Sequence, residues 1–294
     1  LKKRADKIQR VGLIAHSGKI AGSDLLQRAV RLIGTAGRKV FSDSNTAAVA
    51  GLKCPTLPNV RALAARVDLL LVFGGDGTLL GIARETAGCT TPLLGVNIGG
   101  LGFLTAVPSA ELARALKLIW AGRFTFESRA LLEATGHCLG RPVRSYALND
   151  VVVGRGVMSR LIALDVNVNG EPVTRYRCDG LIVSSPTGST AYSLAAGGAL
   201  VYPTADVFAL TPISPHTLSN RSLILPMSAT IHIRAINPKP STILSADGEI
   251  VGELDAGETV TVRRSRHRVR LMHLAGSSFF NALRVKLQWR GANV

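Results

Sequence analysis

Asp76 is the residue whose surroundings point most directly to chemistry. It lies in Gly74-Gly75-Asp76-Gly77-Thr78, directly after the apolar run Val67 to Phe73. The glycines remove the side chains that would keep a backbone away from a phosphate, and they leave a single carboxylate at the mouth of the loop. A carboxylate beside a polyphosphate suits phosphoryl transfer. The same residues also make a tight turn with a locally bonded Asp, and the loop by itself does not separate the two readings. A second group lies at Asp179 to Gly198, where an acid and a short apolar stretch break into Pro186-Thr187-Gly188-Ser189-Thr190-Ala191-Tyr192-Ser193. Thr187, Ser189, Thr190 and Ser193 offer hydroxyl donors to ribose or phosphate oxygens, and Gly188 permits close approach, although such clusters are also common turns. Between the two groups stands Leu148-Asn149-Asp150, ahead of Val151 to Val153. An Asn-Asp pair can bracket a ribose diol, and it also fits a turn that enters a strand.

Other phosphate and catalytic signatures are missing. Leu80 stands where a dinucleotide fingerprint begun at Gly75 and Gly77 needs its third glycine, and no Gly-Lys-Ser/Thr is present. There is no Gly-x-Ser-x-Gly elbow, and His16, His137, His216, His232, His267 and His273 show no nucleophile or metal spacing. No direct protein ligand for a metal is expected.

The elements that must position these groups follow from periodicity. Val67 to Phe73 is long, apolar and ends in glycines, as a buried parallel strand does, and ligands of open α/β sheets bind where such strands end. Val11 to Ala15 predicts a strand, Ser23 caps a helix carrying Leu25, Leu26, Ala29, Val30, Leu32 and Ile33, and Arg38 to Phe41 predicts a second strand. Leu79 to Ala87 predicts a helix after the glycine loop. Pro92 to Val96 is a further strand, followed by Gly99-Gly100-Leu101-Gly102-Phe103, so both glycine loops can line one crevice at the carboxyl edge of the sheet. Beyond Phe124 the period changes. Ile162, Leu164, Val166 and Val168 alternate with polar residues before Asn169-Gly170, a strong hairpin signal, and Ile231/Ile233 and Val260/Val262 repeat the alternation. The expectation is a doubly wound α/β domain over residues 1–123, a mainly β domain over 124–270, and a carboxyl-terminal segment, 271–294, that returns to the first.

Bulk properties narrow the classes. A chain of 294 residues that is 47% hydrophobic has core enough for two domains. Apolar runs are broken well before the ~18 residues of a membrane span, so no membrane partner is expected. The first ten residues are basic without an apolar centre, unlike a secretory leader. Cys54, Cys89, Cys138 and Cys178 are scattered, which favours reduced thiols and a cytoplasmic setting. A formal charge of +16 puts clefts in positive potential and draws polyanions. Nucleic acid is disfavoured as that polyanion: apart from the Arg263 to Arg270 cluster the cations are dispersed, and aromatics are only 5%.

Taken together, Gly74 to Thr78, Asn97 to Leu104, Leu148 to Asp150, Asp179 to Gly198 and Thr211 to Ser219 resemble the bacterial NAD kinase family over most of the chain. The tail, Phe279-Phe280-Asn281 and then Lys286 to Trp289, is similar too. Gly-Gly-Asp-Gly also occurs in phosphofructokinases and lipid kinases, and the Pro186 to Tyr192 block makes the distinction. The resemblance implies an NAD kinase/diacylglycerol kinase-like fold. It implies ATP-dependent phosphorylation of the 2′-hydroxyl on the adenosine ribose of NAD, giving NADP, with a divalent cation such as Mg²⁺. In that scheme Asp76 is the general base and Gly74, Gly75, Gly77 and Thr78 receive the donor phosphates. Phe103 packs on adenine, Asn149 and Asp150 hold a ribose, and Thr190, Ala191 and Tyr192 line the adenosine pocket. Arg177 and Asp179 lie near the nicotinamide half, Arg160 matches a contact position, and a homodimer or homotetramer is implied. Asp150 stands where Glu is usual, Ala195 lacks the usual hydroxyl, and Glu249 replaces the Gln of some members. The rival readings are a lipid or sugar kinase that shares the glycine loop, and a non-catalytic basic protein that binds nucleotide or nucleic acid.

Overall fold

The computed structural model describes residues 6–15, 23–100, 102–156, 161–216, 221–236 and 242–289. They form an amino-terminal α/β part and a mainly β part, in two compact units: residues 1–128 with 269–294, and residues 129–268.

In the first unit β1 (Arg10–Ala15), β2 (Lys39–Asp43), β3 (Thr56–Leu57), β4 (Leu69–Gly74), β5 (Leu93–Asn97) and β6 (Val107–Pro108) pair in parallel. The order is β3-β2-β1-β4-β5, with β6 beside the carboxyl end of β5. The chain winds outward from β1 to β3 and then crosses to β4, so the winding reverses between β1 and β4, the position at which such sheets bind ligands. Leu69, Leu70, Leu71, Val72 and Phe73 are all 0% exposed, as an apolar strand covered on both faces must be. Each such side chain contributes roughly 1.5–3 kcal/mol by leaving water.

Helices flank the sheet at Ser23–Thr35, Ser44–Ala50, Val60–Arg66, Asp76–Glu85 and Leu112–Trp120. The one from Ser23 buries Leu26, Ala29 and Ile33, the stripe its sequence period dictates. The helix expected from Leu79 starts earlier, at Asp76, because Gly75 caps it in an extended conformation and the loop residues themselves form its first turn.

The second unit is built from β7 (Phe124–Cys138), which enters it from the first, then β8 (Arg141–Ala147), β9 (Asp150–Arg155), β10 (Ile162–Val168), β11 (Glu171–Cys178) and β12 (Gly180–Ser184). There follow β13 (Val207–Ile213), β14 (Leu223–Pro226), β15 (Ile231–Ala235), β16 (Thr242–Ala246), β17 (Glu249–Leu254) and β18 (Thr259–Leu274), which leads back to the first unit. One antiparallel sheet runs β14-β13-β12-β9-β16-β17; facing it is the antiparallel run β11-β10-β15-β18. Their inner faces share one core, in which Val151, Val153, Leu181, Val183 and Phe208 meet Leu164, Val166, Ile231, Ile233, Val260 and Val262. Asn169 and Gly170 both take positive φ, 53° and 92°, and join β10 to β11 in the two-residue hairpin that the pair specifies. A short helix, Phe279–Lys286, follows β18 in the first unit.

Candidate active site

The Gly74–Thr78 loop sits at the carboxyl end of β4 and opens a helix. A Cβ on Gly74 would lie 2.7 Å from Thr78 Cβ, so the protein's own packing requires that glycine. Gly75 and Gly77 differ: a Cβ on either would meet nothing within 4 Å. Their bareness keeps open a space that the fold itself does not fill, beside the backbone N–H groups of a helix amino terminus.

Asp76 is not a solitary acid at the mouth. Its Oδ2 accepts the Phe103 N–H at 2.7 Å, and its Oδ1 accepts Leu104 N–H (3.1 Å), Thr105 N–H (3.0 Å) and Thr105 Oγ1–H (3.0 Å). A carboxylate has about four lone-pair directions. Oδ1 is therefore saturated, whereas Oδ2 keeps a direction for another donor. The second glycine loop is shaped to make these bonds. Asn97, buried at the end of β5, donates from Nδ2 to Gly100 O (2.7 Å) and Thr105 Oγ1 (2.8 Å). A Cβ on Gly102 would collide with Asp76 Oδ1 and lie 2.6 Å from its Cγ, so only glycine admits the carboxylate. Phe103 is half-buried, and the Lys286 ammonium stands 5.0 Å from its ring centroid.

In the second unit the Asn149–Asp150 turn and the hydroxyl-rich loop are packed together. Ser185 donates from N to Asn149 O (2.8 Å) and from Oγ to Leu148 O (2.5 Å). A Cβ on Gly188 would lie 2.7 Å from Asn149 Cα, so close approach of backbone explains that glycine. Asn149 Oδ1 is buried without a hydrogen-bond partner. Asp150 is 4% exposed, and burial, then the charge of Asp247, push its carboxyl up to about 7.

The loop hydroxyls hold the loop. Thr187 Oγ1 accepts from the buried Arg129 Nη1 (3.0 Å), and Ser189 Oγ donates to Pro186 O (2.8 Å) and accepts Val201 N–H (3.0 Å). Ser193 Oγ bonds Thr211 Oγ1 (3.1 Å), and Thr190 Oγ1 donates to Thr187 O (3.2 Å). Ser189 and Ser193 are 0% exposed, so their hydroxyls point into the protein, whereas Tyr192 is exposed and Thr190 and Ala191 are half-exposed. Ala195 is exposed in the short helix after the loop, and Glu249 is exposed at the start of β17.

Asp179 sits at the opposite end of β12 from this loop, five residues away and so roughly 16 Å, paired with Arg155 at 3.1 Å. Arg177 is exposed there, and its carbonyl accepts the His216 N–H at 2.9 Å. Arg160 lies outside the described residues. Thr105, Arg129 and Asp247 were not expected from the sequence as site residues; partners distant along the chain reveal them, whereas Asn97 lies within a recognised block and acts on its neighbours Gly100 and Thr105. No group of three or more His, Cys, Asp or Glu able to hold a metal occurs among the described residues.

Comparison with known proteins supplies the class. Residues 11–124 match the ATP-NAD kinase N-terminal domain and residues 148–274 match the ATP-NAD kinase C-terminal domain. The NAD kinase of Methylibium petroleiphilum is 36% identical, covering 97% of this chain and 96% of its own. The NAD kinase of Geobacter metallireducens is 43% identical over 76% of this chain and 79% of its own. Among solved structures, yeast NADH kinase complexed with NADH superposes with a TM-score of 0.87 at 26% identity, covering 98% of this chain and 89% of that one. The chain belongs to the ATP-NAD kinase family.

Proposed function

We propose that Asp76 takes the proton of the 2′-hydroxyl on the adenosine ribose of NAD as that oxygen receives the γ-phosphoryl group of ATP. The family makes the chain an enzyme, a kinase that phosphorylates NAD with ATP as donor; the roles of individual residues are our reading. The observation that carries it is the Asp76 environment, with one carboxylate oxygen saturated, the other able to accept, and open space over Gly75 and Gly77. Fixed backbone donors hold the acceptor oxygen in place, so positioning supplies much of the rate. Gly74, Gly75, Gly77 and Thr78 receive the donor phosphates, with N–H groups of the helix start facing negative charge. Phe103 stacks on adenine.

Asn149 and Asp150 hold a ribose, and the unpartnered Asn149 Oδ1 supports this because a buried acceptor gains from a hydroxyl donor. Thr190, Ala191 and Tyr192 line the adenosine pocket, while Thr187, Ser189 and Ser193 shape it from behind. Arg177 and Asp179 serve the nicotinamide half, with Arg160, Ala195 and Glu249 as further contacts. A divalent ion such as Mg²⁺ would arrive on the phosphates of the nucleotide. Bound there, the ion would neutralise phosphate charge. A cytoplasmic setting agrees with the four free cysteines, and among the described residues no helix is long and apolar enough to cross a membrane. Exposed Leu223, Ile224 and Ile250 on the edge strands β14 and β17 support a homodimer or homotetramer.

The test is incubation with NAD, ATP and Mg²⁺, read by a dehydrogenase that accepts only the 2′-phosphorylated product. NADP is expected; phosphorylation at any other position, or none, overturns the proposal.

A further inference from the structure

Asp247 belongs to no motif that the reaction explains, yet its side chain makes three hydrogen bonds to the Leu148–Asp150 turn. It occupies the two-residue turn between β16 and β17 with φ +49°, a conformation that Asp and Asn tolerate better than other side-chain-bearing residues. Its carboxylate accepts the N–H groups of three consecutive residues: Leu148 (2.9 Å), Asn149 (2.7 Å) and Asp150 (3.2 Å). Its own N–H donates to Asp150 O at 2.9 Å. Charge-assisted bonds of this kind are about twice as strong as neutral ones, so they fix the turn's backbone. The Leu148 carbonyl is also held by Ser185, and Gly188 packs on the Asn149 backbone. The turn is thus gripped from the β16–β17 side by a carboxylate and from the other side by the hydroxyl-rich loop.

The second effect is electrostatic. Among the described residues no Arg, Lys or His forms an ion pair with the 4%-exposed Asp150. The charged groups on neighbouring elements are Asp247, Glu249 at the start of β17, and Arg129, whose guanidinium is bonded to Thr187. Of these, Asp247 is the one whose charge acts on Asp150. Two carboxyls this close in a buried setting do not both ionise readily, and the better-solvated, N–H-bonded Asp247 takes the charge. Asp150 then carries the proton and is a donor, beside Asn149 Oδ1, an acceptor without a partner. A ribose diol, whose hydroxyls both donate and accept, can engage one partner of each kind.

We propose that Asp247 is a positioning residue for the dinucleotide: its carboxylate fixes the Leu148–Asp150 turn through three backbone N–H groups, so that Asn149 and Asp150 meet a ribose diol in one set geometry. The inference rests on the reading that Asn149 and Asp150 bind ribose. Asp247→Asn is nearly isosteric and tolerates the same backbone, but it removes the charge and exchanges one of the two acceptor oxygens for an NH2 donor; Asp247→Gly keeps the turn and removes the clamp altogether. Initial rates are measured against NAD and ATP separately from pH 5.5 to 8.5.

In the unmodified enzyme kcat/KM for NAD should fall as pH rises through about 7. Asp247→Asn should move that limb to lower pH and raise KM for NAD about tenfold at pH 7, with kcat and KM for ATP within about twofold. Asp247→Gly should raise KM for NAD further, and Asp150→Asn should abolish the limb. If Asp150→Asn changes NAD kinetics while Asp247→Asn leaves KM and the limb where they were, the Asp247 proposal alone is overturned. If Asp150→Asn changes neither, the ribose reading falls and the proposal with it. Calorimetry of NAD binding to the unmodified protein in buffers of different ionisation enthalpy gives a measurement that needs no variant: proton uptake at pH 7.5 is expected, and none would overturn the proposal.

Discussion

Gly77→Ala separates fold from function more sharply than any other single change. Gly77 is the second residue of the Asp76–Glu85 helix, does not have positive φ, and an added Cβ would meet no protein atom within 4 Å. Alanine in a helix is favoured over glycine by up to about 1 kcal/mol, and by roughly half that in a first turn. For a chain of this size the melting temperature should therefore rise by about 1–2 °C. The methyl group would project into the space assigned to the donor phosphates, displacing them by about 1 Å. A misplacement of that size costs on the order of 10²-fold in rate. Differential scanning fluorimetry and steady-state assays with NAD and ATP read the two effects on the same preparation. A variant that melts at or above the parent temperature and loses about 10²-fold in kcat/KM for ATP fits the reasoning. One that retains turnover within twofold refutes it, because the space over Gly77 would then be empty in catalysis too.

Gly102→Ala should behave differently, because its Cβ would fall on the Asp76 carboxylate: displacement of that group strands the Phe103, Leu104 and Thr105 donors, so stability should drop by about 1–3 kcal/mol along with activity, measured by urea unfolding. Stability should also depend on pH through Asp150. Its folded carboxyl titrates near 7, above the usual 3.8, so the native state holds the extra proton between these values. The stabilisation is full below about pH 4 and is lost as pH rises through about 7, by on the order of 4 kcal/mol, a slope that Asp150→Asn should remove.

The parts of this molecule that are legible in the sequence are those that local pattern determines. Val67 to Phe73 reads as a buried strand because every residue from Leu69 to Phe73 is covered on both faces. The Asn169-Gly170 hairpin reads directly because both positions need positive φ. The start of the helix at Asp76 is hidden, since a glycine-rich first turn carries no apolar period. Long-range pairing is hidden as well. The donors to Asp76 come from 27 to 29 residues away, and those to Asp247 from 97 to 99 residues away, distances at which no spacing rule applies. Composition suggests ligand donors at Ser189 and Ser193, and in the structure these hydroxyls bond Pro186, Val201 and Thr211, partners that composition does not reveal.

Single-turnover phosphoryl transfer by Asp76→Asn, with NAD binding measured on the same sample, tests the proton-accepting role of Asp76 most directly. The amide can still accept a backbone hydrogen bond but cannot accept the hydroxyl proton. The account predicts a transfer rate lower by about 10²–10⁴-fold with affinity for NAD within a few-fold of the parent. Transfer at the parent rate would contradict it.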